Sequence, residues 1–257
     1  MATERELAAY LDKVLGTDQG PDYPLALNGL QLDSEGVVRG IAAAVDFSTT
    51  TIEGTATKGA NFLIVHHGMF WSGMQPITGA AYRRLALLIS QGIALYSSHL
   101  PLDRHPVYGN NALLAAELGL SPDGSFADYQ GMPIGVAGGS DIETMHLVER
   151  IKSFCEQWGG GVRVSPITSG RQTRRWAICT GAGASADTLR EAEIKEIDTL
   201  IVGEGPYWTS IAASEQNLAI VYAGHYATET LGVRAIAKHV GEKFALPWTF
   251  VDVPSAL

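Results

Sequence analysis

The sequence predicts an α/β protein with helices packed against mixed sheets, and three observations carry that prediction. Short apolar runs alternate with segments whose apolar residues recur at helical spacing along the whole chain. Hydrophobic residues make up 46% of the 257 residues and charged residues 18%, enough apolar content for a full core and too much for a disordered chain. A Pro/Gly break at Ser121–Gly124, continuing to Gly131, interrupts the alternation and marks a lobe boundary.

Taken in order, Glu4–Leu15 reads as an amphipathic helix and Val37–Val45 as a strand. Thr49–Lys58 reads as a helix, and Asn61–Val65 as a short buried strand that ends at His66. Ala80–Gln91 is a predicted helix, Ile93–Ser97 a strand and Asn110–Leu118 a helix. Beyond the break, Pro133–Ala137 is a strand and Ile142–Trp158 a long helix. Val162–Val164 and Arg175–Cys179 are strands, followed by a Gly-rich turn at Thr180–Ala184. Ala186–Glu193, Tyr207–Glu215 and Thr228–Val240 read as helices, interleaved with strands at Thr199–Val202, Ala219–Tyr222 and Thr249–Val251. The chain shows no fixed-period repeat.

The formal net charge is −9 and the sequence pI about 5.2. The densest basic stretch, Arg171–Arg175, holds three arginines in five positions, so charge argues against a broad nucleic-acid or anionic-membrane surface. Cys155 falls in a helical pattern and Cys179 in a strand-like run, which reads as two buried thiols. The charged, amphipathic start lacks a signal-peptide core, and no apolar run approaches the ~20 residues of a membrane span, so a cytoplasmic location is expected.

Chemistry concentrates where three apolar strands end. Ile64-Val65 runs into His66-His67-Gly68, where a turn at Gly68 would let both imidazoles face a cleft at a strand's C-terminal end. Leu95-Tyr96-Ser97-Ser98 leads to His99 and, in a Pro-bent loop, Asp103. Asp103 offers a hard oxygen ligand, and His99 a nitrogen ligand or a donor behind the ligands. Ala223-Gly224 leads to His225 and Glu229, four apart and so on one helical face. Mixed nitrogen and oxygen donors suit Zn, Fe or Mn better than Ca or Mg, and so many donors suit two ions better than one. Glu204 ends another strand and is a candidate acid/base or supporting group. His105 reads as structural or supporting, Phe70 and Trp71 as core or pocket wall, and His146 and His239 as surface or packing residues.

HHGMFW, LYSSHLPLDRHPVYGNN and AGHYATETLGVRA together resemble the signatures of the GTP cyclohydrolase 1 type 2 homologue family, also called the NGG-interacting-factor-like family, in its short bacterial form. NGLQ at Asn28–Gln31, Asp46 in AAAVDFS and Gly203-Glu204 resemble its shorter motifs, so the likeness runs from about Asn28 to Asp252. The resemblance implies a dinuclear metal site with His66, His67, Asp103, His225 and Glu229 as ligands. It implies two α/β lobes, one formed by residues 1–125 and 220–257, the other by 126–219 inserted between them. It also implies a toroidal homohexamer. The chain departs from the family where Gly181-Ala182-Gly183 stands for a GGG-like turn, and where Gly205-Pro206-Tyr207-Trp208 lacks the usual polar residues.

The function these residues point to is a metal-dependent hydrolase with Glu204 or His99 moving protons, acting on a phosphoester, nucleotide or cyclic amidine; GTP-cyclohydrolase-like ring opening is what the family resemblance alone implies. No P-loop is present. The alternative is a non-enzymatic metal-binding, metal-delivery or partner-docking ring; a DNA-encircling ring is disfavoured by the acidic balance.

Overall fold

The structure is a computed structural model that describes residues 2–34, 36–71 and 73–255. The helices are α1 (Glu4–Leu15), α2 (Thr49–Thr57), α3 (Gly79–Gln91), α4 (Leu100–Asp103), α5 (Asn110–Glu117), α6 (Thr144–Glu156), α7 (Ala186–Ile194), α8 (Trp208–Glu215) and α9 (His225–Phe244). The strands are β1 (Gly29–Leu32), β2 (Ile41–Asp46), β3 (Phe62–His67), β4 (Ala94–Ser97), β5 (Gly124–Tyr129), β6 (Met132–Glu143), β7 (Arg163–Val164), β8 (Gln172–Cys179), β9 (Thr199–Val202), β10 (Ala219–Tyr222) and β11 (Trp248–Phe250). This is the mixed α/β fold that the alternation predicts, on two sheets. Among the described residues no helix is long and apolar enough to cross a membrane.

The chain divides into two compact units, Met1–Leu102 with Gly232–Val253, and Asp103–Leu231 with Pro254–Leu257. These bounds lie at different residues from the lobes expected above. Helix α5 belongs to the second unit because Asn111 donates to the Ile134 carbonyl of β6 at 2.8 Å and accepts from the Thr180 amide at 2.8 Å.

The first unit carries a five-stranded sheet in the order β1-β4-β3-β2-β11. β4, β3, β2 and β11 run parallel, and β1 pairs antiparallel with β4. β2 and β3 are buried on both faces, from Ile41 to Val45 and from Phe62 to Val65, which is why they read as uninterrupted apolar runs. Ser48 opens α2 with a reciprocal capping pair to Thr51.

The second unit carries a six-stranded sheet in the order β5-β6-β8-β9-β10-β7, with β8, β9 and β10 parallel. Its strands alternate between two cores. Trp176, Ile178, Ile201 and Val221 pack with Leu147, Ile151 and Phe154 of α6. Ala177, Leu200, Val202 and Ile220 pack with Leu189 of α7 and Ala213 of α8.

Some elements differ from the sequence reading. β3 continues through His66 to His67. Nothing in the sequence announces β1, because its Gly-Leu-Gln-Leu has a single buried position and pairs only at the sheet's edge. The glycine-bearing stretch after Ser121 holds β5 and the turn into β6, where Gln130 and Gly131 both take positive φ. α9 starts at His225, three residues before the expected start.

Candidate metal centre

In the first unit, the imidazoles gather where β3 and β4 end. His66 is fully buried, and His67 is the last residue of β3. Neighbours inside a strand point to opposite faces, yet at this strand end their ring centroids lie 4.7 Å apart. The His99 ring lies 5.0 Å from that of His66 and 5.8 Å from that of His67. One ligand atom from each of the three falls within 4.8 Å of the others. Gly68 makes the exit possible: a Cβ there would stand 2.5 Å from Gln31 Nε2 and 2.6 Å from Ser97 Cβ.

Each of these rings is tied through Nδ1. His66 Nδ1 lies 2.9 Å from the Ser98 carbonyl oxygen, His67 Nδ1 2.8 Å from Asp46 Oδ1, and His99 Nδ1 2.7 Å from Asp22 Oδ1. A carbonyl or carboxylate oxygen only accepts, so Nδ1 carries a hydrogen and Nε2 is the nitrogen that a metal ion would take. Asp22 is itself held by Asn28 Nδ2 at 2.8 Å and the Leu100 amide at 3.1 Å. Burial pushes its pKa up, but hydrogen bonds and the charge of His99 outweigh that and hold it below the usual carboxylate value. Trp71 meets His99 edge-on at 4.2 Å, and Tyr23 packs on both rings. Asp22, Tyr23 and Asn28, which touch His99, also line a cleft of about 890 Å³ with Asp12 and Thr17.

In the second unit, three parallel strands end in glycine-bearing loops, and the donors follow them. Gly224, at φ +87, leads into His225, the first residue of α9, with Glu229 one turn on. His225 Nδ1 lies 2.7 Å from Glu204 Oε1, and its Nε2 lies 3.2 Å from Glu229 Oε2. Gly181, at φ +64, faces this pair; a Cβ there would overlap Glu229 Oε1 and stand 3.2 Å from His225 Nε2. Asp103 ends α4 and accepts from Asn110 Nδ2 at 2.8 Å and from Thr180 Oγ1 at 3.4 Å, both on Oδ1.

This donor set fits a divalent cation. Burial lowers the His225 pKa, but Glu229 and Glu204 reverse the shift and push it up to about 9, so at neutral pH the metal-free ring holds a second proton. A site that keeps a proton between a half-buried imidazole and a buried carboxylate is a site that attracts positive charge, and an ion taking Nε2 displaces that proton.

The Duf34/NIF3 (NGG1p interacting factor 3) family profile matches residues 2–255. The chain belongs to the Duf34/NIF3 family. It is 38% identical over 258 residues to a GTP cyclohydrolase 1 type 2 homolog of Deinococcus radiodurans, spanning 98% of this chain and 94% of that one. A protein of the same description from Pyrococcus abyssi is 37% identical over 98% of both chains. Among solved structures, a structural-genomics protein of unknown function superposes with a TM-score of 0.89, and a protein from Thermus thermophilus with 0.83. Each is 34% identical over the full length of both chains.

In this NIF3-family chain, the first unit brings His66, His67 and His99 together and the second brings His225, Glu229 and Glu204 together. Glu204 meets the His225 ring as an orienting carboxylate. His105 accepts the Val107 and Tyr108 amides on Nδ1 and stacks on Tyr108, a local turn contact. His146 is exposed beside Glu143, and His239 lies 2.8 Å from the Tyr10 hydroxyl. Phe70 is half-buried in the wall of a small cavity with Phe47 and Arg84.

Sequence reasoning missed Asp22, Asn110, Asn111 and Thr180 as site-building residues. Asp22 stands 77 positions from His99, with no local pattern to announce it. Asn110-Asn111 carried a usable signal: two amides at the start of an apolar helix are costly unless something buried needs them.

Proposed function

We propose that the two donor sets serve one dinuclear divalent-metal centre, with His66, His67, Asp103, His225 and Glu229 as the ligands of two Zn, Fe or Mn ions, and that the protein is a metal-dependent hydrolase. One observation carries this reading. His66, His67, His99 and His225 are each fixed at Nδ1 by a carbonyl or carboxylate oxygen, so that Nε2 is the nitrogen presented. Such pairing is the usual support behind metal-bound histidines.

Two bound ions would supply a water of near-neutral pKa and polarise the bond under attack. The chain's own residues do the rest. Asp46 and Glu204 set the orientation of His67 and His225. His99, steadied by Asp22 and enclosed by Trp71 and Tyr23, is placed to hold or move a proton at Nε2. The relatives' description as GTP cyclohydrolase 1 type 2 homologs supports ring opening of a nucleotide base as the reaction, with hydrolysis of a phosphoester as the alternative. We also propose the family-like toroidal homohexamer as the assembly and the cytoplasm as its location.

The test is elemental analysis of protein purified anaerobically, paired with turnover on nucleotides, phosphoesters and cyclic amidines. Wild type should hold two ions per chain, and His66→Ala and Glu229→Ala should lose metal. Two ions retained by both variants would overturn the ligand assignment. Metal-loaded protein that turns over none of the panel would replace the hydrolase with a metal-binding or delivery role.

A further inference from the structure

We infer that Asn110 and Asn111 form a positioning clamp for Asp103, and that Asn110 in particular tunes metal affinity. The inference rests on the metal reading of Asp103. Both residues open α5, whose cap residue is Gly109, with no side-chain capping bond to the helix. Asparagine is a poor choice inside a buried helix start, since its amide favours local backbone bonds and is costly to desolvate. Here Asn110 is 0% and Asn111 1% exposed. Their amides turn back to Asp103.

The two amides divide the work. Asn111 Nδ2 donates to the Asp103 carbonyl at 3.2 Å and to the Ile134 carbonyl at 2.8 Å, while its Oδ1 accepts the Thr180 amide at 2.8 Å. It therefore locks the Asp103 backbone to β6 and to the end of β8. Asn110 Nδ2 reaches the carboxylate itself, at Oδ1, and Thr180 Oγ1 supports the same oxygen. These two bonds fix the rotation of the carboxylate.

The chemical type of the donors matters. Asp103 is 6% exposed, so its charge is largely out of water. A lysine or arginine at position 110 would neutralise that charge and compete with an incoming cation. An amide and a hydroxyl hold the oxygen without themselves neutralising its charge. This is a support built for a ligand, and it separates orientation (Asn110) from folding (Asn111).

The test is a Mn²⁺ titration of full-length, metal-stripped protein, followed through loss of the free-Mn²⁺ EPR signal, with thermal unfolding of the same metal-free samples. Asn110→Ala should weaken Mn²⁺ binding about 10–100-fold, the usual loss when an outer-shell partner is removed. Its metal-free unfolding midpoint should fall by clearly less than that of Asn111→Ala, because Thr180 still holds the same oxygen. Thr180→Val, which removes the longer bond, should weaken binding in the same direction by less. Asn111→Ala should instead lower the metal-free midpoint. Unchanged Mn²⁺ affinity in Asn110→Ala would overturn the clamp while leaving the metal reading intact. So would an unfolding loss in Asn110→Ala as large as that in Asn111→Ala, since the residue would then be structural. If wild type takes up no Mn²⁺, Zn²⁺ or Fe²⁺, the metal reading itself fails and takes the clamp with it.

Discussion

Gly181→Ala perturbs the second unit's donor pair without replacing either donor. Two costs arise. The residue sits at φ +64, where a Cβ strains the backbone by about 1–2 kcal/mol. The new methyl also overlaps Glu229 Oε1 and crowds His225 Nε2 at 3.2 Å. Glu229 is only 2% exposed, so its carboxylate has no open solvent to retreat into; forced overpacking of this kind costs about 1–3 kcal/mol. Together the substitution should destabilise the metal-free protein by about 2–5 kcal/mol, or roughly 4–9 °C in unfolding midpoint for a chain of this size.

Gly170→Ala supplies the internal control. Gly170 has φ +72, but a Cβ there meets nothing within 4 Å. It should show the backbone cost alone, about 1–2 kcal/mol, with metal content unchanged. Urea unfolding of both variants, beside elemental analysis, separates the contributions. The reasoning is refuted if Gly181→Ala matches Gly170→Ala in stability and still carries the wild-type complement of metal, for then Glu229 is not held against that loop.

Asp46→Asn should leave the fold intact and weaken Mn²⁺ binding about 10–100-fold, read by titration, because the His67 ring loses the carboxylate that sets its tautomer. Glu4→Gln should cost about 2 kcal/mol at pH 7 in urea unfolding. Burial alone would raise the Glu4 pKa, but the Gly36 and Ser34 amides bind the charged form and hold it below the ordinary value. Its stabilisation is therefore complete above the unfolded value near 4.5 and is lost as pH falls through the lower folded value, so the gap between wild type and variant should close in acid. Cys155 and Cys179 are both buried, and burial pushes the Cys155 thiol up to about 12, so Ellman's reagent should find no reactive thiol in the native state and two per chain in denaturant.

The parallel strands are legible in the sequence because both of their faces are buried: Phe62–Val65 and Thr199–Val202 are apolar at nearly every position and have no alternative burial. β1 and β5 are not, because edge strands bury few positions and owe their extended form to a partner far along the chain. His66 and His67 read as lying at or beyond a strand end, since polar residues after an apolar run look like loop. In fact His66 pays the desolvation cost of complete burial because its Nδ1 has the Ser98 carbonyl. The ligand candidates stand out by residue type, whereas Asn110 and Asn111 become visible only once their partners Asp103, Ile134 and Thr180 are in place.

Two histidine–carboxylate pairs, one in each unit, obey one construction. Asp46 ends β2, α2 follows, and β3 ends at His67, directly opposite Asp46 in the parallel register. Glu204 follows β9, α8 follows it, and His225 follows β10, the parallel neighbour of β9. In both cases the carboxylate precedes the histidine by 21 residues and meets its Nδ1, at 2.8 Å and 2.7 Å. Parallel neighbours lie about 4.7–4.9 Å apart and finish at the same edge of a sheet, so one strand–helix–strand step returns the chain to within side-chain reach of where it left. The count of 21 reflects the length of a short helix and its loops; the physical requirement is that both residues stand at adjacent strand ends. That turns a long-range partner into a local rule. For His67 and His225 the residue to inspect is the one at the end of the preceding parallel strand, and in each case it is a carboxylate; His99, after β4, departs from this step and meets Asp22 at Nδ1 instead.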